Sequence, residues 1–280
     1  MHNLLTTIDY RSTNFNQNFV KSLKDIGFAI ISNHPLDINL INSVYQEWEL
    51  FFNSKNKLNY LFDLEKQDGF FPYQSENAKG YTHKDLKEFY HFYEWGRLPE
   101  NMSNKTLSMF NSLIKLGEEL LQLIDFHSPK DIQNYYSMPL SDMIANSSMN
   151  LLRIIHYPPI MDKTPDEAIR AGAHEDINLI TLLSPGSQPG LQVKNVDGNW
   201  LDVKCEPNWL VVNTGDMLTE CSKGYFPSTT HRVVNPKMGS NNLSRYTIPL
   251  FIHPRDEVIL SPKYTAKSFL EERLKEIGLK

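Results

Sequence analysis

Hydrophobic positions in this chain keep a mostly helical spacing up to about residue 174 and a strand-like spacing beyond it. Near the start, Phe15, Phe19, Leu23 and Ile26 recur at helical intervals, and Gly27 ends that run. Phe28 to Ile31 is a short apolar strand, so residues 8–37 read as strand, helix, strand. Asp37 is placed to cap a second helix reaching Phe52, with Leu40, Ile41, Val44, Trp48 and Phe51 on one face. Residues 55–93 show no period, and aromatic residues are spread among polar ones. A loop of that length in a compact domain is usually functional or a lid. Residues 107–126 predict an amphipathic helix with Phe110, Leu113, Ile114, Leu120, Leu121 and Ile124 towards the core. Leu151–Tyr157 predicts a strand stopped by Pro158-Pro159. Thr164-Pro165-Asp166-Glu167 has the form of a capping box with proline at the first helical position, which predicts a short helix.

From residue 174 to 254 the pattern is short strands separated by Gly, Pro and Asn, the signature of a sandwich or jelly roll. Residues 263–279 return to helix. The expected fold class is mainly β with flanking helices. Residues 1–100 form an N-terminal helical and loop region packed on the core, and residues 101–280 form the jelly-roll core with its supporting helices, the whole a single structural unit.

Composition narrows the function classes. With 40% hydrophobic and 22% charged residues the chain is an ordinary globular protein. A net charge of -5 gives no footprint for nucleic acid. No apolar run approaches the roughly 18 residues a membrane helix needs, so no membrane partner is expected. The first residues lack a basic stretch followed by a long apolar one, so no signal peptide is expected. Cys205 and Cys221 read as free thiols in a reducing, cytoplasmic setting.

The candidate chemistry centres on His174, Asp176, His231, Arg245 and Thr247. On an extended strand, side chains two apart point the same way, so His174 and Asp176 present an imidazole and a carboxylate to one point. His231, from a distant strand, completes three ligands on one side of a metal. Two histidines and one carboxylate with open positions opposite form the facial triad of non-haem iron(II) oxygenases. Arg245 and Thr247 likewise share a strand face, and a guanidinium fork beside a hydroxyl suits a carboxylate. The same three ligands could hold zinc and a water, which keeps a metal-dependent hydrolase open as a distant alternative. No glycine-rich phosphate loop, nucleophile-elbow serine or zinc-type cysteine cluster is present.

The runs around these residues carry a family resemblance. Gly190-Leu191-Gln192-Val193, Asp197-Gly198-Asn199-Trp200, Val212-Asn213-Thr214-Gly215-Asp216-Met217-Leu218 and Ser228-Thr229-Thr230-His231-Arg232-Val233 resemble the core of the 2-oxoglutarate/iron(II) dioxygenases of the isopenicillin N synthase type. Gly27 to His34, Ala78-Lys79-Gly80 and Asp85-Leu86-Lys87-Glu88-Phe89 resemble that family's N-terminal region. The resemblance implies a cupin-like double-stranded β-helix with Fe(II) inside its open end, held by His174, Asp176 and His231. It implies that O2 and the co-substrate 2-oxoglutarate oxidise, most often hydroxylate, a small organic substrate, with release of succinate and CO2. The distal carboxylate of 2-oxoglutarate would meet Arg245 and Thr247; the family usually has serine where Thr247 stands, and threonine keeps the hydroxyl. Some members are oxidases that do not use 2-oxoglutarate, and in that alternative the same pair grips the substrate's own carboxylate.

Arg153 and Tyr157 share a strand face, with Ile155 between them. Their stretch, Arg153 to Pro159, resembles the family strand that carries a tyrosine near the co-substrate, which places Tyr157 there. Many plant members have asparagine where Ile155 stands, so one polar contact is lost. Arg153 is expected to border the substrate cavity and favour a substrate bearing a carboxylate; the competing reading is a structural ion pair. His156 faces away and reads as structural, as do His34 in a turn and His253 after a strand. His83 and His91 fall in the irregular region, where Phe70, Phe71, Tyr73, Tyr81, Phe89, Tyr90 and Tyr93 either line a pocket or pack the loop onto the barrel.

Overall fold

The computed structural model describes residues 5–76, 82–165, 167–184, 186–204, 206–237 and 241–276. β1 (Thr7–Asp9), α1 (Phe15–Ile26) and β2 (Phe28–Ser32) follow the predicted strand, helix, strand. α1 buries Phe15, Phe19, Val20 and Leu23. It stops at Gly27, where the chain turns left-handed at φ 72° and a Cβ would collide with Thr229 Oγ1 and the Pro227 carbonyl. Asp37 caps α2 (Ile38–Asn53) by accepting the Asn39 N–H at 2.8 Å. α2 buries Ile41, Val44, Trp48, Phe51 and Phe52, while Leu40 is half-buried.

The region predicted as irregular holds two strands. After a 3-10 turn over Lys55–Tyr60 come β3 (Gly69–Phe71) and β4 (Glu88–Phe92), and β4 pairs antiparallel with β5 (Leu151–Tyr157). β4 shows no polar/apolar alternation because both of its faces are covered. Phe89 faces the inter-sheet core, whereas Tyr90 and Phe92 face the helices. Glu88 is buried on the helix side, where Lys57 and His156 both approach it at 2.8 Å. A buried charge persists only with such partners, and partners this far apart in sequence leave no local signal.

α3 (Lys105–His127) is the predicted long helix, with Phe110, Leu113, Leu120, Leu121 and Ile124 buried. Two short helices follow, α4 (Lys130–Gln133) and α5 (Leu140–Ile144). The predicted helix at Thr164 is absent among the described residues. Thr164, Pro165 and Glu167 lie in turns and coil, the Ala168 N–H donates to the Pro165 carbonyl at 3.0 Å, and Asp166 is outside the described residues. β6 (Ala171–His174) starts too soon afterwards to leave room for a helix. The remaining elements are β7 (Ile180–Ser184), β8 (Leu191–Lys194), β9 (Trp200–Asp202), β10 (Trp209–Thr214), α6 (Asp216–Cys221), β11 (His231–Val233), β12 (Arg245–Ile252) and α7 (Ala266–Glu276). The last predicted helical positions, 277–279, are outside the described residues.

The strands form an eight-stranded sheet, β1-β2-β10-β7-β12-β5-β4-β3, and a four-stranded sheet, β6-β11-β8-β9. Among the described strands, β1 and β2 run parallel and the other strand pairings are antiparallel. Because side chains alternate along a strand, the large sheet sorts its residues between two cores. Leu152, Ile154, Leu210, Val212, Tyr246, Ile248 and Leu250 pack towards the helices. Phe28, Ile155, Tyr157, Leu183 and Val211 face Ala171, Leu191, Val193 and Val233 of the small sheet. This is the expected jelly roll with flanking helices. β1, β2, β3 and β4 all precede residue 100, so the N-terminal region supplies both edges of the large sheet. Cys221 is a buried free thiol, and Cys205 is outside the described residues. No described helix is long and apolar enough to cross a membrane.

Candidate active site

β6 and β11 lie side by side in the small sheet, with His174 directly opposite His231. Asp176 departs from the sequence reading. β6 ends at His174, so Asp176 is not on a shared strand but in the turn beyond it. That turn is tied to the end of β10: the Asp216 N–H donates to the Asp176 carbonyl at 2.7 Å, and the Gly215 N–H to the Leu179 carbonyl at 2.9 Å. Gly215 has to be glycine, since a Cβ there would run into the Asn178 carbonyl.

These anchors bring three donors together. The Asp176 Oδ1 lies 3.9 Å from His174 Nε2 and 3.8 Å from His231 Nε2, and all three ligand atoms fall within 4.8 Å of one another. Two metal–ligand bonds of about 2.1 Å span up to about 4.2 Å, so the Asp176 distances already admit an ion. Each imidazole turns Nδ1 to a backbone carbonyl, His174 to Gly172 at 2.8 Å and His231 to Thr229 at 3.1 Å. The Nδ1 proton then sits on the backbone side and Nε2 offers its lone pair to the centre. Asp176 Oδ2 accepts from Thr181 Oγ1 at 2.6 Å and from Asn213 Nδ2 at 2.8 Å, which leaves Oδ1 free.

Protonation suits the same role. His174 is only partly buried, and desolvation of its ring, reinforced by the neighbouring His231, lowers it below the ordinary imidazole value. Burial alone would raise the Asp176 carboxyl, but the two imidazoles and the bonds from Thr181 and Asn213 overcome it and hold it below its ordinary value. Neutral imidazole and ionised carboxylate are the ligating forms. Thr181→Val is expected to weaken iron binding about 10- to 100-fold, the scale for losing a partner of a metal ligand. Iron titration of the variant against wild type checks this.

The clamp residues line the same cavity. Arg245, Thr247 and Tyr157 stand with His174, Asp176 and His231 around one cleft between the sheets. Arg245 is 1% exposed, and its Nε donates to the Gln188 carbonyl at 2.9 Å. Its Nη1 is buried without a partner, and the buried Thr247 Oγ1 has no hydrogen-bonding neighbour beyond the Tyr45 hydroxyl. The Arg245 guanidinium carbon lies 5.2 Å from the centre of the Tyr157 ring. Unpaired buried polar atoms are costly, and a carboxylate placed here would satisfy both. The donor set therefore fits iron(II), and the Arg245 and Thr247 pair fits a ligand's carboxylate.

A charged cluster forms another wall. Arg153 lines the cavity, stacks 4.7 Å from the centre of the Phe89 ring, and also pairs with Glu76 at 3.3 Å and donates to His91 Nε2 at 3.0 Å. Both sequence readings of Arg153, cavity residue and ion-pair member, thus apply. Lys87 was not singled out, yet it lines the cavity beside Arg153 and contacts Asp85 at 2.8 Å and Glu76 at 3.3 Å. Burial alone would raise Glu76, but Lys87 and Arg153 hold it at about 2. The Asp85-x-Lys87 spacing on an extended chain was the available signal.

The aromatic residues differ from one of the two readings given to them. Among the cavity-lining residues are Phe28 and Phe251, but none of Phe70, Phe71, Tyr73, Phe89, Tyr90 or Tyr93. Phe70, Phe71, Phe89 and Tyr90 belong to β3 and β4 instead, with Tyr73 and Tyr93 just beyond those strands. Ala78, Lys79, Gly80 and Tyr81 are outside the described residues. His156 is structural, held between Glu88 at 2.8 Å and Ser244 at 3.0 Å and stacked 4.4 Å from Tyr246.

Known proteins match this architecture. Residues 148–254 match the model of the 2OG-Fe(II) oxygenase superfamily, and residues 5–113 match that of the non-haem dioxygenase in morphine synthesis N-terminal region. The crystal structure of a candidate oxygenase from Shewanella oneidensis is 48% identical, covers 99% of both chains and superposes with a TM-score of 0.89. The 2'-deoxymugineic-acid 2'-dioxygenase of Hordeum vulgare is 33% identical over 64% of this chain. That match spans 48% of the Hordeum vulgare protein, so the chain covers about half of that relative's length. Neurospora crassa T7H, crystallised with alpha-KG, shares the fold at 23% identity with a TM-score of 0.78, over 98% of this chain and 96% of its own. The chain belongs to the 2OG-Fe(II) oxygenase superfamily. Iron(II) and 2-oxoglutarate are the metal and co-substrate that define it.

Proposed function

We propose that this protein oxidises, most often hydroxylates, a small organic substrate with O2 and 2-oxoglutarate, releasing succinate and CO2. The observation that carries the reading is the single cleft that joins a His174, Asp176 and His231 cluster to the orphaned Arg245 Nη1 and to Thr247 Oγ1. In it, His174, Asp176 and His231 hold iron(II), which supplies the O2-activating chemistry when bound. Arg245 and Thr247 receive the distal carboxylate of 2-oxoglutarate, and the buried Tyr157 flanks it. The protein's part is to place and orient these groups and exclude water. The acceptor is a small molecule and not a nucleic acid, in keeping with the net charge of -5. A reducing, cytoplasmic setting suits both iron(II) and the free Cys221. The deciding experiment measures succinate formed against O2 consumed with added iron(II). Matched amounts are expected; O2 uptake without succinate would hand the clamp to the substrate's own carboxylate.

Arg153 and Lys87 form the substrate side of the cleft. Their acid partners Glu76 and Asp85 stand behind them, so two cations face the cavity and favour a substrate with a carboxylate or similar acceptor. Arg153→Leu is expected to impair substrate oxidation while sparing the substrate-independent decarboxylation of 2-oxoglutarate, because iron and clamp remain intact. The ratio of succinate to oxidised product should rise. Equal loss of both activities at normal stability would place Arg153 on the co-substrate instead.

A further inference from the structure

Arg170 immediately precedes β6 and is 1% exposed. It donates from Nη2 to the Leu243 carbonyl at 2.7 Å, two residues ahead of Arg245. Its Nε is buried without a partner. No carboxylate among the described residues pairs with Arg170 or with Arg245. The titratable groups that reach Arg170 are the Arg245 guanidinium and the Tyr157 phenol, and of these only Arg245 carries a charge. Burial, and after it repulsion from Arg245, push Arg170 down to about 10. A structural arginine in an interior normally has an acid of its own, because an unpaired buried charge is costly. Here two buried guanidiniums repel each other, Arg170 being tied to the chain two residues ahead of Arg245, and an anion bound at Arg245 relieves that repulsion.

We propose that Arg170 is a second cation behind Arg245, a positioning residue that favours the distal carboxylate of a 2-oxo diacid held by Arg245. It rests on the function proposed above. Arg170 is not among the cavity-lining residues, so it acts in two indirect ways. Its positive field adds to that of Arg245 where the carboxylate arrives. Its bond to the Leu243 carbonyl fixes the segment that leads into β12 and so fixes the direction of Arg245.

The test compares two ligands of equal chain length, 2-oxoglutarate and 2-oxopentanoate, which differ only in the distal carboxylate. Dissociation constants are read from ligand-induced thermal shifts of the iron(II)-loaded protein under anaerobic conditions. Arg170→Gln is expected to lower the preference for 2-oxoglutarate about tenfold, the scale of one charge–charge interaction at intermediate dielectric. Arg170→Lys should keep most of the preference. The ligand-free melting temperature of Arg170→Gln should match or exceed that of wild type, since the substitution removes an unpaired buried charge. An unchanged preference in Arg170→Gln overturns the proposal. So does an equal loss of affinity for both ligands, or a ligand-free protein that melts well below wild type. If wild type itself fails to distinguish the two ligands, the co-substrate reading falls first, and that outcome is visible before any variant is made.

Discussion

Replacing His174, Asp176 or His231 by Ala is expected to abolish tight iron binding and to cut turnover by more than about a hundredfold, since even partners one step removed from a metal cost about 10- to 100-fold. Each substitution removes one of three protein donors that meet within 4.8 Å. The three should differ in what else they disturb. The His174 side chain is 40% exposed, so His174→Ala leaves little unsatisfied and is the cleanest variant. Asp176→Ala also strands Thr181 Oγ1 and Asn213 Nδ2, which both donate to it, so some thermal stability should go with the iron. His231→Ala also removes an edge contact with Phe28, whose ring centre lies 5.5 Å away. Iron content, succinate release and a thermal melt separate these effects. Wild-type-like turnover in any one variant would sink the assignment.

How far the sequence carried these conclusions depended on the range of the interactions behind each element. α1, α2 and α3 were legible because each buries a periodic face and has local stops, Gly27 and Asp37 among them. β5 was legible because Pro158 and Pro159 close it. β3 and β4 were not, because β4 takes its register from β5, sixty or more residues further along, and β3 takes its own from β4. The false helix at Thr164 had correct local chemistry but no length before β6. In the site, the motif residues His174, His231, Arg245 and Thr247 stood out through their order along the chain and the family-like runs around them. Asp176 was identified on a strand argument, whereas the chain reaches the centre by a turn pinned to β10. Thr181 and Asn213 serve the site through contacts between elements, which no spacing rule reports, whereas Lys87 was readable from its spacing to Asp85. Asn213 nonetheless occupies the same strand face as Val211, which faces the small sheet, and that alternation was readable.

Arg245→Gln is expected to raise the apparent KM for 2-oxoglutarate strongly, because truncating one partner of a desolvated charge pair costs roughly 2–5 kcal/mol. The guanidinium is 1% exposed and no described acid neutralises it, so the ligand's carboxylate would be its only strong partner. Glutamine keeps an N–H donor but is shorter and loses the charge and the fork. Thr247→Val should cost less, about 1 kcal/mol, since a single neutral hydrogen bond is lost and the shape is kept. Measured in parallel, the two variants should leave iron affinity near wild type, because neither touches His174, Asp176 or His231. The ranking also separates the rival use of the clamp. If Arg245→Gln leaves 2-oxoglutarate affinity unchanged but destroys affinity for the other substrate, the pair grips that substrate's carboxylate and the protein is an oxidase. If 2-oxoglutarate affinity collapses while its loss is partly offset at saturating concentration, the interaction is one of binding and not of chemistry. Arg245 and Thr247 share one face of β12 and line one cleft, and a co-substrate carboxylate meeting both predicts the second outcome.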